Sequence, residues 1–228
     1  MEEVAFISDI HSNLEALDAV LDKTGEAQIY CLGDLVGYGS DPNGVIDRLR
    51  EVGAVALQGN HDVAVLSGTT LLNPLAAQAA AWTASKISDQ NREYLRRLPQ
   101  KIETEFDGVR AFLTHGSPDD NLWEYVEVKT HSRIFDNYLR RLDVDVIGLG
   151  HTHRPFVWWG KNGFVFNPGS VGQPRNGDPR ASFALASFSE GTFKVALDKT
   201  EYDVKAAADK IVASGLPPQL ATRLFEGV

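Results

Sequence analysis

Short apolar runs alternate with helix-like segments through the first third of the chain. The runs "VAFIS", "QIYCLG" and "AVALQG" are separated by amphipathic stretches at 12–23 and 41–53. Apolar runs of this length, ended by glycine or polar residues, are typical of strands buried on both faces of a sheet. This β-α-β-α-β order predicts a parallel sheet covered by helices, and Ser12 with Glu15 predicts a capping box at the start of the first helix.

The pattern changes twice after this unit. Residues from about 63 to 98 are helix-like, which predicts a small helical insert or cap packed against the α/β body. Beyond them, pairs of extended runs flank turns such as Asp107-Gly108 and Glu190-Gly191, which predicts antiparallel hairpins, and two amphipathic helices follow. Parallel strands followed by hairpins indicate two packed mixed sheets with helices outside, in a single α/β domain spanning 1–228.

Composition and charge narrow the class of protein. The chain has 22 lysine and arginine residues against 31 aspartate and glutamate residues, and its net charge of −9 disfavours non-specific nucleic-acid binding. The first apolar run, Val4–Ile7, is too short for a signal peptide, and no stretch approaches the roughly 20 apolar residues that span a bilayer. We therefore expect a cytoplasmic protein with no membrane partner.

Side chains that can bind a metal follow five of the apolar runs. The five endings are Asp9-Ile10-His11, Asp34, Asn60-His61-Asp62, His115 and His151-Thr152-His153. Loops beyond the carboxyl ends of parallel strands gather in one crevice, where ligands bind. Residues two apart in an extended segment point the same way, so we expect His151 and His153 to face one point, as we expect of Asp9 with His11. Together these endings predict a metal centre.

The candidate ligands suit two metal ions better than one. They are Asp9, His11, Asp34, Asn60, His115, His151 and His153. Mixed imidazole and oxygen ligands favour transition metals over Mg²⁺ or Ca²⁺, so we expect two divalent ions, manganese first, with iron, zinc, nickel or cobalt as alternatives. Two such ions and two carboxylates leave a charge of about +2, which suits an anionic ester and attack by a metal-activated water. The centre therefore predicts phosphate-ester hydrolysis.

His61 follows Asn60 directly and is not needed as a ligand. We predict that it is the catalytic residue, either as general acid to the leaving-group oxygen or as an electrostatic stabiliser of the transition state. A histidine that only supports the neighbouring ligands is the alternative. Asp62 is expected either to orient His61 or to cap the following helix.

These motifs, in this order, resemble those of the calcineurin-like metallophosphoesterase superfamily. The family's D-x-H, G-D-x-x-[DG], G-N-H-[ED], H-G and G-H-x-H motifs are present as "DIH", "GDLVG", "GNHD", "HG" and "GHTH" between residues 9 and 153. The stretch "NPGSVGQPR" at 167–175 is similar to the small bacterial and archaeal phosphodiesterase branch. The stretch "GDLVGYGSDPN" is similar to members related to diadenosine tetraphosphatase.

The resemblance implies a four-layer αββα sandwich with a dinuclear metal site. It implies that one metal ion is bound by Asp9, His11, Asp34 and His153, and the other by Asp34, Asn60, His115 and His151. Asp34 would be the bridging ligand, and His61 would lie near the leaving group.

The chain departs from the phosphoprotein phosphatases of this superfamily at two positions. Their G-D-x-x-D-R motif has an aspartate that supports the histidine of G-N-H and an arginine that binds phosphate, whereas this chain has Gly37 and Tyr38. A protein serine/threonine phosphatase is therefore disfavoured. Arg175 and Asn176, in the loop after G-H-x-H, are the candidate substrate contacts, and a rigid structural loop is the alternative.

The leading hypothesis is a metal-dependent phosphoesterase for a small phosphodiester or a nucleotide, with dinucleoside polyphosphates among the candidates. The alternatives are a non-catalytic interaction scaffold on the same fold and a nuclease. Trp82, Trp123 and Tyr125 can stack a nucleobase near such a site, but core packing is the preferred interpretation of each. The sequence does not predict the oligomeric state.

Overall fold

The structure is a computed structural model that describes residues 2–68 and 71–228, so Thr69 and Thr70 of the predicted helical insert lie outside it. In chain order the elements are β1 (Glu2–Ile7), α1 (Leu14–Thr24), β2 (Gln28–Cys31), α2 (Pro42–Glu51), β3 (Val55–Ala56), α3 (Asn60–Ser67), α4 (Pro74–Lys86), α5 (Asp89–Arg97), β4 (Lys101–Phe106), β5 (Val109–Thr114), α6 (Val128–Leu142), β6 (Val146–Gly148), β7 (Phe156–Trp159), β8 (Phe164–Asn167), β9 (Ala181–Ser189), β10 (Thr192–Thr200), α7 (Val204–Ala213) and α8 (Pro218–Glu226). Within the two described ranges, no helix combines the length and the apolar character that crossing a membrane requires.

The strands form two five-stranded mixed sheets. In the first sheet the strand order is β10-β9-β1-β2-β3, and β1, β2 and β3 are parallel, as the sequence pattern predicts. In the second sheet the order is β4-β5-β6-β8-β7, with β5, β6 and β8 parallel. The hairpins predicted at Asp107-Gly108 and Glu190-Gly191 are confirmed as the pairs β4–β5 and β9–β10.

The side chains of β1 show how the sheets pack. Val4 and Phe6 point into the core between the two sheets, whereas Ile7 points toward the helices, because alternate residues of a strand face opposite sides. Phe6 contacts Phe106 and Phe166 of the second sheet, with ring centroids 5.8 and 4.9 Å apart. The central strand is therefore buried on both faces, as its apolar run predicts.

Helices cover the outer face of each sheet and complete a four-layer αββα sandwich. Leu17 of α1, Val45 of α2 and Leu95 of α5 pack on the first sheet, and Phe135 of α6 packs on the second. Ala79 of α4 belongs to a separate apolar cluster with α7 and α8. The α/β class and the layer order expected from the sequence are confirmed.

Two helix starts differ from the sequence prediction. α3 begins at Asn60, inside the G-N-H motif, rather than near residue 63, so His61 lies in its first turn. The first helix is capped by Asn13, whose Oδ1 accepts a hydrogen bond from Ala16 N at 3.1 Å, and not by Ser12. The reason is that Ser12 has a φ of +55°, a left-handed conformation unlike that of an N-cap. The assignment of 63–98 as an insert within one domain stays a prediction.

Candidate active site

The strand ends bring eight predicted site residues together in the interior. They follow β1 (Asp9, His11), β2 (Asp34), β5 (His115) and β6 (His151, His153), or begin α3 (Asn60, His61). None of the eight is more than 4% exposed. Polar groups buried at this density require partners or a ligand.

Five of the seven candidate ligands have a left-handed backbone. Their φ angles are +54° at Asp9, +50° at His11, +54° at Asp34, +66° at His151 and +57° at His153. β1 and β6 end before these residues, at Ile7 and Gly148, so D-x-H and H-x-H are tight turns rather than extended segments. The expectation that residues two apart in an extended segment point the same way therefore does not explain why these side chains converge. A left-handed backbone is strained at residues other than glycine. Strain of this kind concentrates at functional sites, where the surrounding structure maintains it.

The first cluster consists of Asp9, His11, Asp34 and His153, whose ligand atoms lie within 4.8 Å of one another. The Nε2 atoms of His11 and His153 are 3.2 Å apart. His153 Nε2 is 3.3 Å from Asp9 Oδ1, and His11 Nε2 is 3.5 Å from Asp34 Oδ2. Atoms at this spacing can surround one ion at metal–ligand distances of about 2.0–2.2 Å.

The second cluster consists of Asp34, His115 and His151, again within 4.8 Å of one another. His115 Nε2 is 3.4 Å from Asp34 Oδ2 and 3.1 Å from Asn60 Oδ1, so Asn60 lies at this cluster too. Asp34 belongs to both clusters. His151 and His153 therefore lie in different clusters, in the arrangement that the family resemblance implies. Their roles as ligands stay predictions.

Backbone carbonyl groups orient the imidazoles. Nδ1 of His11, His115 and His153 lies 3.2, 2.8 and 2.6 Å from the carbonyl oxygens of Val36, Leu32 and Gln173, respectively. A proton on Nδ1 satisfies each carbonyl and leaves Nε2 as an acceptor facing the cluster. His151 is reversed, because its Nε2 lies 3.2 Å from the carbonyl oxygen of Trp123, which leaves Nδ1 for a ligand.

Acceptor atoms consequently face one another in the first cluster. The two Nε2 lone pairs of His11 and His153 repel at 3.2 Å unless a proton or cation lies between them. Asp9 Oδ1 and Asp34 Oδ2 are buried and have no hydrogen-bond partner among the described residues. An unsatisfied buried group of this kind costs about 1–3 kcal/mol or more. Divalent cations remove both penalties, so the donor set fits them.

Burial and mutual charge also shift the pKa values of these groups. Burial lowers the pKa of His11 well below its usual value and that of His151 to about 3. Burial acts the same way on His115, but the Asp34 carboxylate offsets it and raises the pKa to about 9. Burial raises the pKa of Asp9 to about 7, whereas His115 holds the pKa of Asp34 well below its usual value despite burial. His11 and His151 are thus neutral, which is the metal-binding form.

His61 lies beside the first cluster. Its ring centroid is 4.8 Å from that of His11 and 4.5 Å from that of Tyr38. Its Nδ1 is buried without a hydrogen-bond partner among the described residues, and burial lowers the pKa of the imidazole to about 4. A Cβ atom at Gly37 would lie 2.5 Å from this Nδ1. Position 37 therefore has no room for a side chain in this arrangement. This agrees with the presence of glycine where the G-D-x-x-D-R motif has its second aspartate.

Asp62 acts on the backbone and not on His61. Its carboxylate accepts hydrogen bonds from Gly59 N at 2.9 Å, Val36 N at 3.1 Å and Leu35 N at 3.3 Å. The first bond caps α3, and the other two hold the loop that carries Asp34. Of the two roles left open by the sequence, the structure shows the cap.

Replacement of Gly37 by alanine should lower both stability and turnover. The φ of +98° disfavours an L-residue, and the new Cβ would displace the ring of His61. We expect the free energy of unfolding to fall by about 1–3 kcal/mol, and kcat to fall while metal content is unchanged. Gly53→Ala is the matched control, because Gly53 has a φ of +66° and nothing within 4 Å of its Cβ position. Thermal unfolding and steady-state kinetics compare the two, and equal kcat values would contradict the contact with His61.

The loop after β8 supports the D-x-H turn. Gly172 N and Ser170 Oγ both donate to the carbonyl oxygen of Asp9, at 3.0 and 2.7 Å. A Cβ atom at Gly172 would lie 1.7 Å from the carbonyl oxygen of Ile10, so only glycine fits there. This part of the loop has the rigid structural role considered from the sequence.

Arg175 extends from the same loop to Tyr38. Its Nη2 lies 3.3 Å from the Tyr38 hydroxyl and 3.2 Å from Gln173 Oε1, and its guanidinium carbon is 5.9 Å from the centroid of the Tyr38 ring. No carboxylate of the described residues pairs with this guanidinium. Asn176 is exposed, and its Oδ1 accepts a hydrogen bond from Asp178 N at 3.3 Å. Substrate contact by either residue stays a prediction.

Tyr38 and Arg223 also lie near the site. Burial raises the pKa of the Tyr38 hydroxyl, and the guanidinium groups of Arg175 and Arg223 offset part of that rise. Arg223 lies on the amphipathic helix α8, and no motif in the sequence predicts that it lies near the site.

Core packing is the wrong interpretation of Tyr125, which is 55% exposed and has its ring centroid 3.9 Å from that of His151. Trp82 instead packs beside α7, where its Nε1 donates to the Ser214 carbonyl at 3.1 Å.

Known proteins share this sequence and architecture. Residues 2–191 match the family model of the calcineurin-like phosphoesterase superfamily domain. The chain belongs to the calcineurin-like phosphoesterase superfamily. This calcineurin-like chain is 40% identical to the uncharacterized protein MJ0912 of Methanocaldococcus jannaschii, over 98% of each chain. It is 29% identical to the phosphodiesterase YfcE of Escherichia coli, over 81% of this chain and 87% of the relative.

A solved structure extends the likeness to the whole fold. The crystal structure of a metallophosphoesterase from Sphaerobacter thermophilus is similar over 100% of this chain and 99% of its own, with 32% identity and a TM-score of 0.85. The calcineurin-like family thus supports hydrolysis of a phosphate ester as the class of reaction.

Proposed function

We propose that this calcineurin-like chain is a dinuclear, metal-dependent phosphoesterase that hydrolyses a small phosphodiester or a nucleotide. The observation that supports it most is the pair of buried imidazole and carboxylate clusters that share Asp34, in which Asp9 Oδ1 and Asp34 Oδ2 have no hydrogen-bond partner among the described residues. Membership of the family and similarity to a phosphodiesterase support the hydrolysis of a phosphate ester.

Both clusters have the donors that a transition metal prefers. One divalent ion would be held by Asp9, His11, Asp34 and His153, and the other by Asp34, Asn60, His115 and His151. Mixed imidazole and oxygen donors make manganese our first candidate, with iron, zinc, nickel and cobalt as alternatives. When bound, the two ions would supply an activated water and would neutralise charge on the phosphate.

His61 is the residue that we assign to the leaving group. Its Nδ1 has no hydrogen-bond partner among the described residues, and its ring is held against those of His11 and Tyr38. Its backbone N–H donates to Asp34 Oδ1 at 2.8 Å, which fixes the residue relative to the shared ligand. A neutral ring held in this way can donate a hydrogen bond to the departing oxygen, and the protonated ring can transfer its proton there as the P–O bond breaks.

Local positive charge favours an anionic substrate even though the chain as a whole carries −9. We propose that Arg175, together with the adjacent Asn176, contacts the phosphate, because this guanidinium is half-buried beside the first cluster and is held by Tyr38 rather than by a carboxylate. A small ester in the cytoplasm, rather than nucleic acid or a membrane, is the proposed partner.

Arg175→Ala should weaken substrate binding more than turnover. A charge-assisted hydrogen bond contributes about 1.5–3 kcal/mol, so we expect KM to rise about 10- to 100-fold with a smaller change in kcat. Arg175→Lys should recover only part of this, because lysine lacks the planar fork. Arg96→Ala, which removes an exposed arginine paired with Glu93 on α5, is the control and should leave KM unchanged. An unchanged KM for Arg175→Ala would contradict the assignment.

A substrate panel tests the proposed function as a whole. The purified chain is loaded with Mn²⁺, its bound metal is measured, and it is assayed against aryl phosphodiesters, aryl monoesters, dinucleoside polyphosphates and cyclic nucleotides. We expect metal-dependent release of the alcohol or nucleoside product from at least one class. Two bound ions without turnover of any ester would refute the proposal and would favour a non-catalytic scaffold.

A further inference from the structure

An exposed aromatic ring lies against one candidate ligand of the second cluster. The ring of Tyr125 is tilted by 33° to that of His151, with centroids 3.9 Å apart. His151 is buried, whereas Tyr125 is 55% exposed, so one part of the tyrosine ring covers the histidine and the rest is accessible. No hydrogen bond within the described residues holds the Tyr125 hydroxyl.

The segment around Tyr125 is ordered by its own contacts. Leu122 and Val126, on either side, are buried and anchor the segment. Ser117 Oγ accepts hydrogen bonds from the N–H groups of Asp119 and Asp120, at 3.1 and 3.0 Å, which shapes the preceding turn. The tyrosine is therefore presented by a fixed loop, so little conformational freedom is lost when a ligand packs on it.

His151 does not depend on Tyr125 for its orientation. The carbonyl oxygen of Trp123 lies 3.2 Å from His151 Nε2 and sets the tautomer of the ring. The accessible surface of the Tyr125 ring is therefore not needed to orient His151. Exposed aromatic rings at a ligand site are suited to stacking on another planar ring.

A groove lies beside the segment that follows Tyr125 in the chain. This groove, of about 300 Å³, is lined on one side by Val126–Lys129 and on the other by Thr152, Pro155 and Phe156. Thr152 belongs to the G-H-x-H turn, so one end of the groove lies at this turn. A group attached to a phosphate at the clusters can extend past the exposed ring of Tyr125.

We propose that Tyr125 is a stacking platform for the base of a nucleotide substrate. This inference rests on the proposed function, because the phosphate at the metal centre fixes where the attached group lies. Nucleotides are phosphate esters with a planar heteroaromatic ring, which an alkyl or simple sugar ester lacks.

Paired ligands that differ only in the base test this assignment. The Mn²⁺-loaded chain is titrated calorimetrically with AMP, ribose 5-phosphate and inorganic phosphate, and the ligands are checked by chromatography to be intact. Stacking of one base contributes about 1–3 kcal/mol, so AMP should bind about 5- to 100-fold more tightly than ribose 5-phosphate. Tyr125→Ala and Tyr125→Leu should bring this ratio close to one, and Tyr125→Phe should preserve it.

The controls separate stacking from a structural role. Trp159→Ala removes an aromatic residue of β7 that is 57% exposed, and it should leave the ratio unchanged. A wild-type ratio of one, or equal weakening of all three ligands in Tyr125→Ala, would overturn the proposal. Turnover of esters without a base preference would refute the platform and leave the proposed function intact. A base preference without turnover of any ester would support the platform and refute the proposed function.

Discussion

Replacement of Asp34 by asparagine should deplete both clusters of metal at once. Asp34 Oδ2 lies 3.5 Å from His11 Nε2 in the first cluster and 3.4 Å from His115 Nε2 in the second, so one oxygen faces both clusters. Residues that only support a ligand contribute about 10- to 100-fold to metal affinity or activity, and loss of the shared carboxylate should cost more than this at each site. Elemental analysis after Mn²⁺ loading measures the bound metal, and kcat/KM measures the consequence.

Asp9→Asn is the matched control for this variant. Asp9 is within reach of His11 and His153 but belongs only to the first cluster. It should therefore lose one ion and retain the other, whereas Asp34→Asn should lose affinity for both. Retention of two tightly bound ions in Asp34→Asn would exclude the bridging role.

His61→Ala should reduce kcat by roughly 10²–10⁴-fold and leave the metal content unchanged. His61 lies outside the two ligand clusters, so its removal should not release an ion. The loss should depend on the leaving group, because a 4-nitrophenolate departs readily without a proton whereas a nucleoside or alkyl alkoxide does not. Steady-state kinetics on diesters with leaving groups of different acidity measures this dependence.

His131→Ala controls for the loss of a histidine elsewhere. His131 lies on α6, outside the motifs and both clusters, and its removal should leave kcat unchanged. An equal loss of activity with every leaving group would assign His61 to electrostatic stabilisation instead of proton transfer. An unaffected kcat would show that His61 only supports its neighbours.

The hydrophobic pattern predicts the sheets and the meeting of the ligands because both follow from the geometry of buried strands. Apolar runs such as Val4–Ile7 identify strands by themselves, and parallel strands bring their carboxyl ends to one edge. This rule brings together the ends of strands within each sheet. Asp9 and His151, 142 positions apart, follow strands of different sheets, so their contact also depends on how the two sheets pack; the backbone N–H of His151 donates to Asp9 Oδ2 at 3.2 Å.

The conformation of the turns is not predictable in the same way. The left-handed backbone of His11 and Ser12 depends on hydrogen bonds from their N–H groups to Asp34 and Leu35 on the neighbouring loop, both 3.0 Å long. A local pattern carries no record of such tertiary bonds, so it assigns to Ser12 the helix cap that belongs to Asn13. The exposure of Tyr125 is not predictable from the local pattern either, because an aromatic residue in a loop can be buried or exposed.

The bond from Ser170 to the Asp9 carbonyl joins positions 161 residues apart and has a consequence for biosynthesis. While the nascent chain is still on the ribosome, the D-x-H turn can be complete in sequence yet lack the partner that keeps its backbone bent. Metal binding at this turn would therefore be a late event, coupled to docking of the carboxyl-terminal half. A folding defect anywhere in that half would then weaken metal binding by the D-x-H turn near the amino terminus.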